Sequence, residues 1–193
     1  MKGFFGQYSY SIIKMFVNQF AISIFGSVLA MATAASGNKT LTLVVSIFAI
    51  IFYLFLIYTM TWEIGAKDKI SVDVGKKPYR PYIGLLMSLV ANIPNFIIAI
   101  VYTIGYRDMA VAQWAGTMTF IARVASIFTE GMYLGFITAI NVAGNPIQHY
   151  WWAYFVITIP AIITSWIAYF AGHKNFRIVA GFFNKKPDTA NKK

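Results

Sequence analysis

Two stripes of polar side chains run through otherwise apolar stretches of the sequence. Within each stripe the spacing places the side chains on one face of a helix. The first stripe consists of Ser88, Asn92, Asn95 and Tyr102. The second consists of Thr119, Arg123, Ser126, Glu130 and Tyr133. Ionisable residues at membrane depth are costly and normally face a bundle interior or a water-filled cavity. We therefore expect both stripes to face inwards, towards each other.

These residue types are suited to binding a small polar solute beside Pro94, because transporters often bind solutes where a helix is broken near mid-membrane. The candidate ligand-binding residues are Asn92, Asn95, Tyr102, Arg123, Ser126 and Glu130. The alternative is structural: Arg123 and Glu130 pair with each other, and the asparagines hydrogen-bond between helices. Seven residues of helix separate Arg123 from Glu130 by about 10 Å. Long side chains, a water or a ligand would have to close that gap.

The composition defines the class of protein that presents these stripes. The chain has 193 residues, of which 59% are hydrophobic and only 11% charged, whereas soluble domains carry about 25% charged residues. Several apolar runs reach the roughly 20 residues that a helix needs to cross a bilayer. The runs are continuous rather than alternating, so they predict helices and not the strands of a barrel. We predict an all-α, polytopic integral membrane bundle with one domain over residues 1–186.

Four stretches are clear candidates for membrane spans, namely 15–35, 41–62, 83–105 and 153–172. Pro94 and Pro160 predict kinks in the third and the last of them. The stretch 109–144 has 36 residues, about 54 Å as one helix, which is too long for an ordinary crossing. We expect it to break near Glu130 and either to cross twice or to enter and return, which gives six membrane segments. The alternative is one long crossing and five spans.

The distribution of charge predicts the orientation. The polar stretch 63–82, which we interpret as a loop, carries five of the sixteen basic residues. The positive-inside rule places it in the cytoplasm. The basic tail predicts an amphipathic helix over 173–186, followed by disorder over 187–193, and it also belongs inside. Both termini are then cytoplasmic, which requires an even number of crossings. The residues expected to contact anionic lipid or a partner are Lys76, Lys77, Arg80, Lys174, Arg177 and Lys185.

Several classes of activity find no support in the sequence. It contains no cysteine and two histidines, so neither a thiolate nor a histidine metal site is expected. Serine-elbow, phosphate-loop and H-E-x-x-H motifs are missing. Glu130 is the only acid in a membrane-length run, which excludes a pair of carboxylates inside the bilayer. The net charge of +10 lies in juxtamembrane clusters and indicates lipid rather than nucleic acid. We therefore predict no catalytic residues, metal or cofactor.

Three functions remain as hypotheses. We prefer a small membrane subunit that binds a solute or serves as an accessory component of a larger transport or envelope complex. Such a subunit would contact protein partners and the anionic lipids of the cytoplasmic leaflet. The alternative is a self-sufficient transporter or channel for a small solute, although we find no internal repeat of the kind many transporters show. An intramembrane enzyme acting on lipid ranks last. The composition suits the plasma membrane of a bacterium.

Overall fold

The computed structural model describes residues 2–109 and 112–176. The described chain is helical almost throughout, as the apolar runs predict. Its helices are α1 (Lys2–Ala34), α2 (Lys39–Asp73), α3 (Ile83–Ala91), α4 (Ile93–Asp108), α5 (Gln113–Glu130), α6 (Leu134–Ala139), α7 (Ala153–Val156) and α8 (Ile159–His173). A small antiparallel hairpin follows α6 and consists of β1 (Asn141–Val142) and β2 (Asn145–Pro146).

Several of these helices have the length and hydropathy needed to cross a membrane. Four candidate spans qualify on their own: Gly3–Ala34, Lys39–Asp73, Gln113–Ala139 and Ala153–His173. The bent pair α3–α4 provides a fifth if it is counted as one span. The fold is thus compatible with a multi-pass membrane protein.

The polarity of the surface and of the interior agrees with helices that face lipid. Large apolar side chains point outwards; Phe48 is 61% exposed and Phe120 is 67% exposed. The interior carries small hydroxyl residues instead, and Ser23, Ser88 and Ser165 are completely buried. Small residues at helix contacts are typical of membrane bundles, because lipid tails are as apolar as leucine and association depends on close packing.

Glycines permit the closest helix contacts in the bundle. Gly65 of α2 lies against the carbonyl of Tyr169 in α8, and Gly172 of α8 lies against the carbonyl of Trp62 in α2. Gly84 of α3 faces the same helix α8. A Cβ atom at any of these three glycines would overlap its neighbour. Helices α2, α3 and α8 therefore form a tightly packed core.

Four helix termini meet at one end of the bundle. Tyr8 near the start of α1 and Tyr169 near the end of α8 both donate hydrogen bonds to Asp68 near the end of α2. Ile83, the first residue of α3, lines a cavity shared with these three residues. We call this the basic end, because the lysines and the arginine of residues 67–80 also lie here. The β-hairpin and the start of α2 form the opposite end, which we call the hairpin end.

The predicted loop over 63–82 is wrong in its first half, because α2 remains helical as far as Asp73. The stretch contains no proline before Pro78, and Lys69 and Asp73 form an ion pair of 2.7 Å one turn apart, a spacing that supports a helix. A polar composition marks where the chain leaves an apolar environment, but it does not by itself end a helix. Only residues 74–82 connect α2 to α3. Helix α1 likewise begins at Lys2, well before the predicted start of the first span.

The kink predicted at Pro94 is confirmed, whereas at Pro160 the structure shows an interruption of the helix. The chain bends by 51° between α3 and α4, around Asn92 and just before Pro94. Proline lacks the amide hydrogen that would continue the ladder of helical hydrogen bonds. In the last span, α7 ends at Val156 and α8 begins at Ile159, directly before Pro160.

The predicted break near Glu130 is also found. Glu130 has φ −133°, outside the helical range, and a 3-10 turn over Gly131–Tyr133 joins α5 to α6. Gly131 packs there against the backbone of Ser23 in α1, and Gln19 of α1 donates to the carbonyl of Thr129 at 3.0 Å. The break is therefore held against the middle of α1.

Candidate functional site

The end of α2 carries a buried carboxylate bound by four donors. Asp68 is only 6% exposed. Its Oδ2 atom accepts hydrogen bonds from the phenols of Tyr8 at 2.5 Å and Tyr169 at 2.9 Å. Its Oδ1 atom accepts from Lys77 Nζ at 3.0 Å and from Gln7 Nε2 at 3.3 Å. Burial of a charge is tolerated when it is paired and hydrogen-bonded in this way. Asp68 thus joins α1, α2, α8 and the turn into α3.

The local sequence explains how Lys77 reaches Asp68. Helix α2 ends in a Schellman motif, in which the amides of Gly75 and Lys76 donate to the carbonyls of Val72 and Ser71. Gly75 adopts φ 71°, a left-handed conformation that glycine accepts without steric cost. The chain reverses at this glycine and brings Lys77 back over the last turn of α2.

Two cavities at the basic end share the Lys77–Asp68 pair in their linings. The first, which we call the Arg80 cavity, has a volume of about 170 Å³. It is lined by residues of α1, α2, α8 and the turn into α3, namely Gly3, Phe4, Gln7, Tyr8, Asp68, Val72, Lys77, Pro78, Arg80, Ile83 and Tyr169. The second, the Lys14 cavity, has a volume of about 260 Å³ and lies between α1 and α2, with Lys14, Glu63 and Lys67 in its lining. Both cavities are therefore bounded in part by this ion pair.

The structure separates the basic residues that the sequence grouped together. Within the described ranges, ion pairs occur only at Lys69–Asp73 and Lys77–Asp68. Lys77 is therefore engaged, whereas Lys76 and Arg80 are exposed and unpaired. Arg80 lines the Arg80 cavity, and Lys76 lines neither cavity.

The remaining predicted contacts lie at the end of the chain. Lys174 follows the last residue of α8 and lies over the ring of Phe170, 5.5 Å from its centroid. Arg177 and Lys185 lie outside the described residues, as do the tail 187–193 and all but the first four residues of the predicted amphipathic helix.

The two asparagines of the predicted ligand site stabilise the bend between α3 and α4. Asn92 donates to the carbonyl of Ser88 at 2.8 Å, and Asn95 donates to the side-chain oxygen of Asn92 at 2.8 Å. Both residues are almost completely buried. The Oδ1 atom of Asn95 has no partner in the part of the chain that the structure describes. These amide hydrogen bonds lie within the bent segment itself and do not reach another helix of the bundle.

Arg123 and Tyr102 meet near the hairpin end. Arg123 donates to the phenol oxygen of Tyr102 at 3.1 Å, and its Nη2 atom lies 3.2 Å from Nδ1 of His149. Tyr102 in turn donates to the carbonyl of Gln148 at 3.1 Å. The two polar stripes are therefore linked at this point, and the link anchors the loop before α7. The predicted pairing of Arg123 with Glu130 is wrong, because Arg123 is directed to this loop instead.

Glu130 is isolated in the bundle interior. It is 3% exposed, and neither carboxylate oxygen has a hydrogen-bond partner among residues 2–109 and 112–176. It shares a cavity of only about 10 Å³ with Ser126 and Tyr154, roughly the space that one water needs. The Ser126 hydroxyl is bound to the carbonyl of Arg123 in its own helix. The other four predicted ligand residues do not line this cavity.

Sequence reasoning missed Asp68, Tyr8 and Tyr169, although it named Lys77. One signal was available: Asp68 lies seven residues after Thr61 and three after Gly65, and therefore on the face of α2 that packs on α8. That phase is visible only if α2 is taken to continue past residue 62. In the described ranges, no three acidic or histidine side chains come close enough to hold a metal ion.

Comparison with known proteins adds no family to this description. No protein-family model, no curated protein and no solved structure matches the chain. The class is therefore defined by the fold and the site: a helical bundle with membrane-length apolar helices, a closed interior and two polar cavities at a basic end.

Proposed function

We propose that the chain is a small multi-pass membrane subunit that binds a partner in a larger membrane assembly through its basic end. The observation that carries this proposal is the concentration of basic residues at the basic end, where Lys76 and Arg80 are exposed and form no ion pair within the described residues. Cavity size does not separate the two ends, because a cavity lined by Lys39 at the hairpin end measures about 260 Å³, as the larger cavity at the basic end does. Clustered, exposed cations attract an acidic partner surface.

The proposal includes an orientation in which six membrane segments place both termini on the cytoplasmic side of a plasma membrane, taken to be bacterial. Its support is that α5 lies antiparallel to α4, with Gly105 against Thr119, while α6 returns Gly135 to Thr42 near the start of α2. The break at Glu130 then lies at the bottom of a segment that enters and returns.

Cysteine labelling tests this orientation, because the chain contains no cysteine of its own. We expect Asn145→Cys at the hairpin end to react with an impermeant maleimide in intact cells, and Lys76→Cys to react only after permeabilisation. Five simple crossings would place residue 145 on the same side as residue 76. Equal protection of both cysteines in intact cells would therefore contradict six segments.

The partner is tested by extracting the tagged chain from its native membrane into nanodiscs and identifying the proteins that accompany it. We expect a stoichiometric partner, and we expect Lys76→Glu to reduce its recovery about tenfold, as the loss of a complementary charge and its replacement by a repulsive one imply. Lys39→Glu makes the same charge change at the hairpin end and serves as the matched control. A wild-type chain that leaves the membrane alone, or a partner insensitive to Lys76→Glu, argues against docking at the basic end.

A second candidate, a self-sufficient transporter, is favoured by one observation. The helix break beside the unpartnered Glu130 has the arrangement in which broken membrane helices bind ions or solutes. If this function is correct, Glu130→Gln abolishes uptake in proteoliposomes. The small cavity at Glu130 makes it the weaker proposal.

A further inference from the structure

We propose that the Arg80 cavity binds the phosphodiester of an anionic phospholipid, with Arg80 and Lys77 as the phosphate ligands. This inference rests on the proposed placement of the chain in a membrane, but not on the existence of a protein partner. It concerns residues that the partner experiment leaves unchanged.

The charges in the cavity favour an anion. Lys77 and Arg80 contribute two positive charges, and Asp68 is the only carboxylate in the lining. Asp68 is paired with Lys77 and bound by three further donors, so the lining keeps a net charge of +1, which Arg80 supplies. Arg80 has no ion-pair partner among the described residues. Its guanidinium offers the planar pair of donors that matches two phosphate oxygens.

The shape and position of the cavity favour a lipid over a free phosphate. Phe4, Val72 and Ile83 give the same cavity an apolar side, which suits the glycerol backbone and the first methylene groups of the acyl chains. Helix α3 begins at Ile83, and the positive end of its dipole adds to the attraction for an anion. Asp68 in the cavity lining lies six residues, or about 9 Å of helix, beyond Trp62, where the apolar run of α2 ends, which is the level of lipid headgroups.

The neighbouring Lys14 cavity does not have the same character. It sets Lys14, Lys67 and Lys77 against Glu63 and Asp68, which is the same net charge as in the Arg80 cavity, but its lining contains no arginine. Of the two cavities, only the Arg80 cavity offers the planar pair of donors that matches two phosphate oxygens, so we assign the lipid to it alone.

Native mass spectrometry of the purified full chain in detergent tests the proposal. The probes are phosphatidylglycerol, phosphatidylcholine and soluble glycerol 3-phosphate. We expect one phosphatidylglycerol to bind with at least tenfold preference over phosphatidylcholine. Arg80→Gln should weaken that binding about tenfold, which corresponds to the loss of one charge-assisted contact. Lys76→Gln removes the same charge from the same turn outside the cavity and should change the affinity by less than about twofold.

Three results would overturn the inference. Equal binding of the two lipids would remove the anionic headgroup from recognition. Equal weakening by Arg80→Gln and Lys76→Gln would indicate a diffuse field rather than a site. Displacement of the lipid by glycerol 3-phosphate at equal concentration would show that a free phosphate suffices. Circular dichroism of Arg80→Gln verifies its fold, and Arg80→Lys should recover part of the affinity. The lipid affinity is measured on the purified chain without a partner, which separates this result from the partner experiment.

Discussion

Replacing Asp68 with asparagine should destabilise the bundle more than any other single loss of charge at its basic end. The substitution keeps the size of the side chain but removes its charge and one of the two acceptor oxygens. Hydrogen bonds to a charged group contribute about 1.5–3 kcal/mol each. Asparagine can still accept from two of the four donors, while its own amide group opposes the other two. Loss of two such bonds at about 1.5 kcal/mol each predicts a cost of about 3 kcal/mol.

A second route to the magnitude gives a similar value. Removing one partner of a buried ion pair costs about 3–5 kcal/mol, mostly because the other charge is left unpaired. The side chain of Lys77 is 33% exposed, so water compensates part of this cost and the lower limit applies. At about 2–4 °C per kcal/mol for a chain of this size, the Tm should fall by roughly 6–12 °C.

The assay is thermal unfolding in detergent micelles, followed by far-ultraviolet circular dichroism. Asp73→Asn is the matched control, because it breaks an ion pair of the same chemistry whose lysine and aspartate side chains are 37% and 55% exposed. Exposed pairs contribute at most about 1 kcal/mol. Adding Lys77→Gln to Asp68→Asn should recover part of the loss, since no unpaired lysine then remains. Equal shifts in Tm for Asp68→Asn and Asp73→Asn would refute the structural role of the Asp68 cluster.

Three further substitutions test the packing and the interior. Gly172→Ala should lower the free energy of unfolding by about 1–3 kcal/mol, because the added methyl group overlaps the α2 backbone. Gly116→Ala has open space around the added methyl group and should not change the Tm in the same thermal unfolding assay. Glu130→Gln should leave the Tm unchanged or raise it, since burial of a carboxylate without a hydrogen-bond partner among the described residues opposes folding. A fall in Tm of several degrees would contradict this and would show that a cation or another partner binds the carboxylate. Tyr102→Phe should cost about 1 kcal/mol and should accelerate hydrogen exchange before α7, where the link to Arg123 is lost; unchanged exchange would contradict that link.

The interruptions of the helices were predictable because each has a local cause. Pro94 and Pro160 remove backbone donors wherever they occur in a helix, and the excessive length of residues 109–144 required a break that the Thr-Glu-Gly sequence locates. The inward direction of Tyr102 and Ser126 followed from helical periodicity alone. Such features depend on residues within a few turns of one another, and these are the features that a single sequence displays.

The Asp68 cluster was not predictable for the opposite reason. Its phenols come from Tyr8 and Tyr169, 60 and 101 residues away in the chain, and neither carries a motif. The change to polar residues after Trp62 suggests the end of a helix, although α2 continues to Asp73. Opposite charge in one segment likewise suggests a pairing of Arg123 with Glu130. The structure shows that Tyr102 and His149 compete for the arginine, and no linear spacing reveals competitors from other helices.

The glycine contacts between α2 and α8 form late in the synthesis of the chain. Helix α8 is synthesised long after α2, yet Gly172 and Tyr169 complete both the tight core and the binding of Asp68. Until α8 has been synthesised, the glycine backbone of α2 lacks its packing partner and the Asp68 carboxylate is incompletely bound. A chain truncated before α8 therefore leaves both features of α2 uncovered.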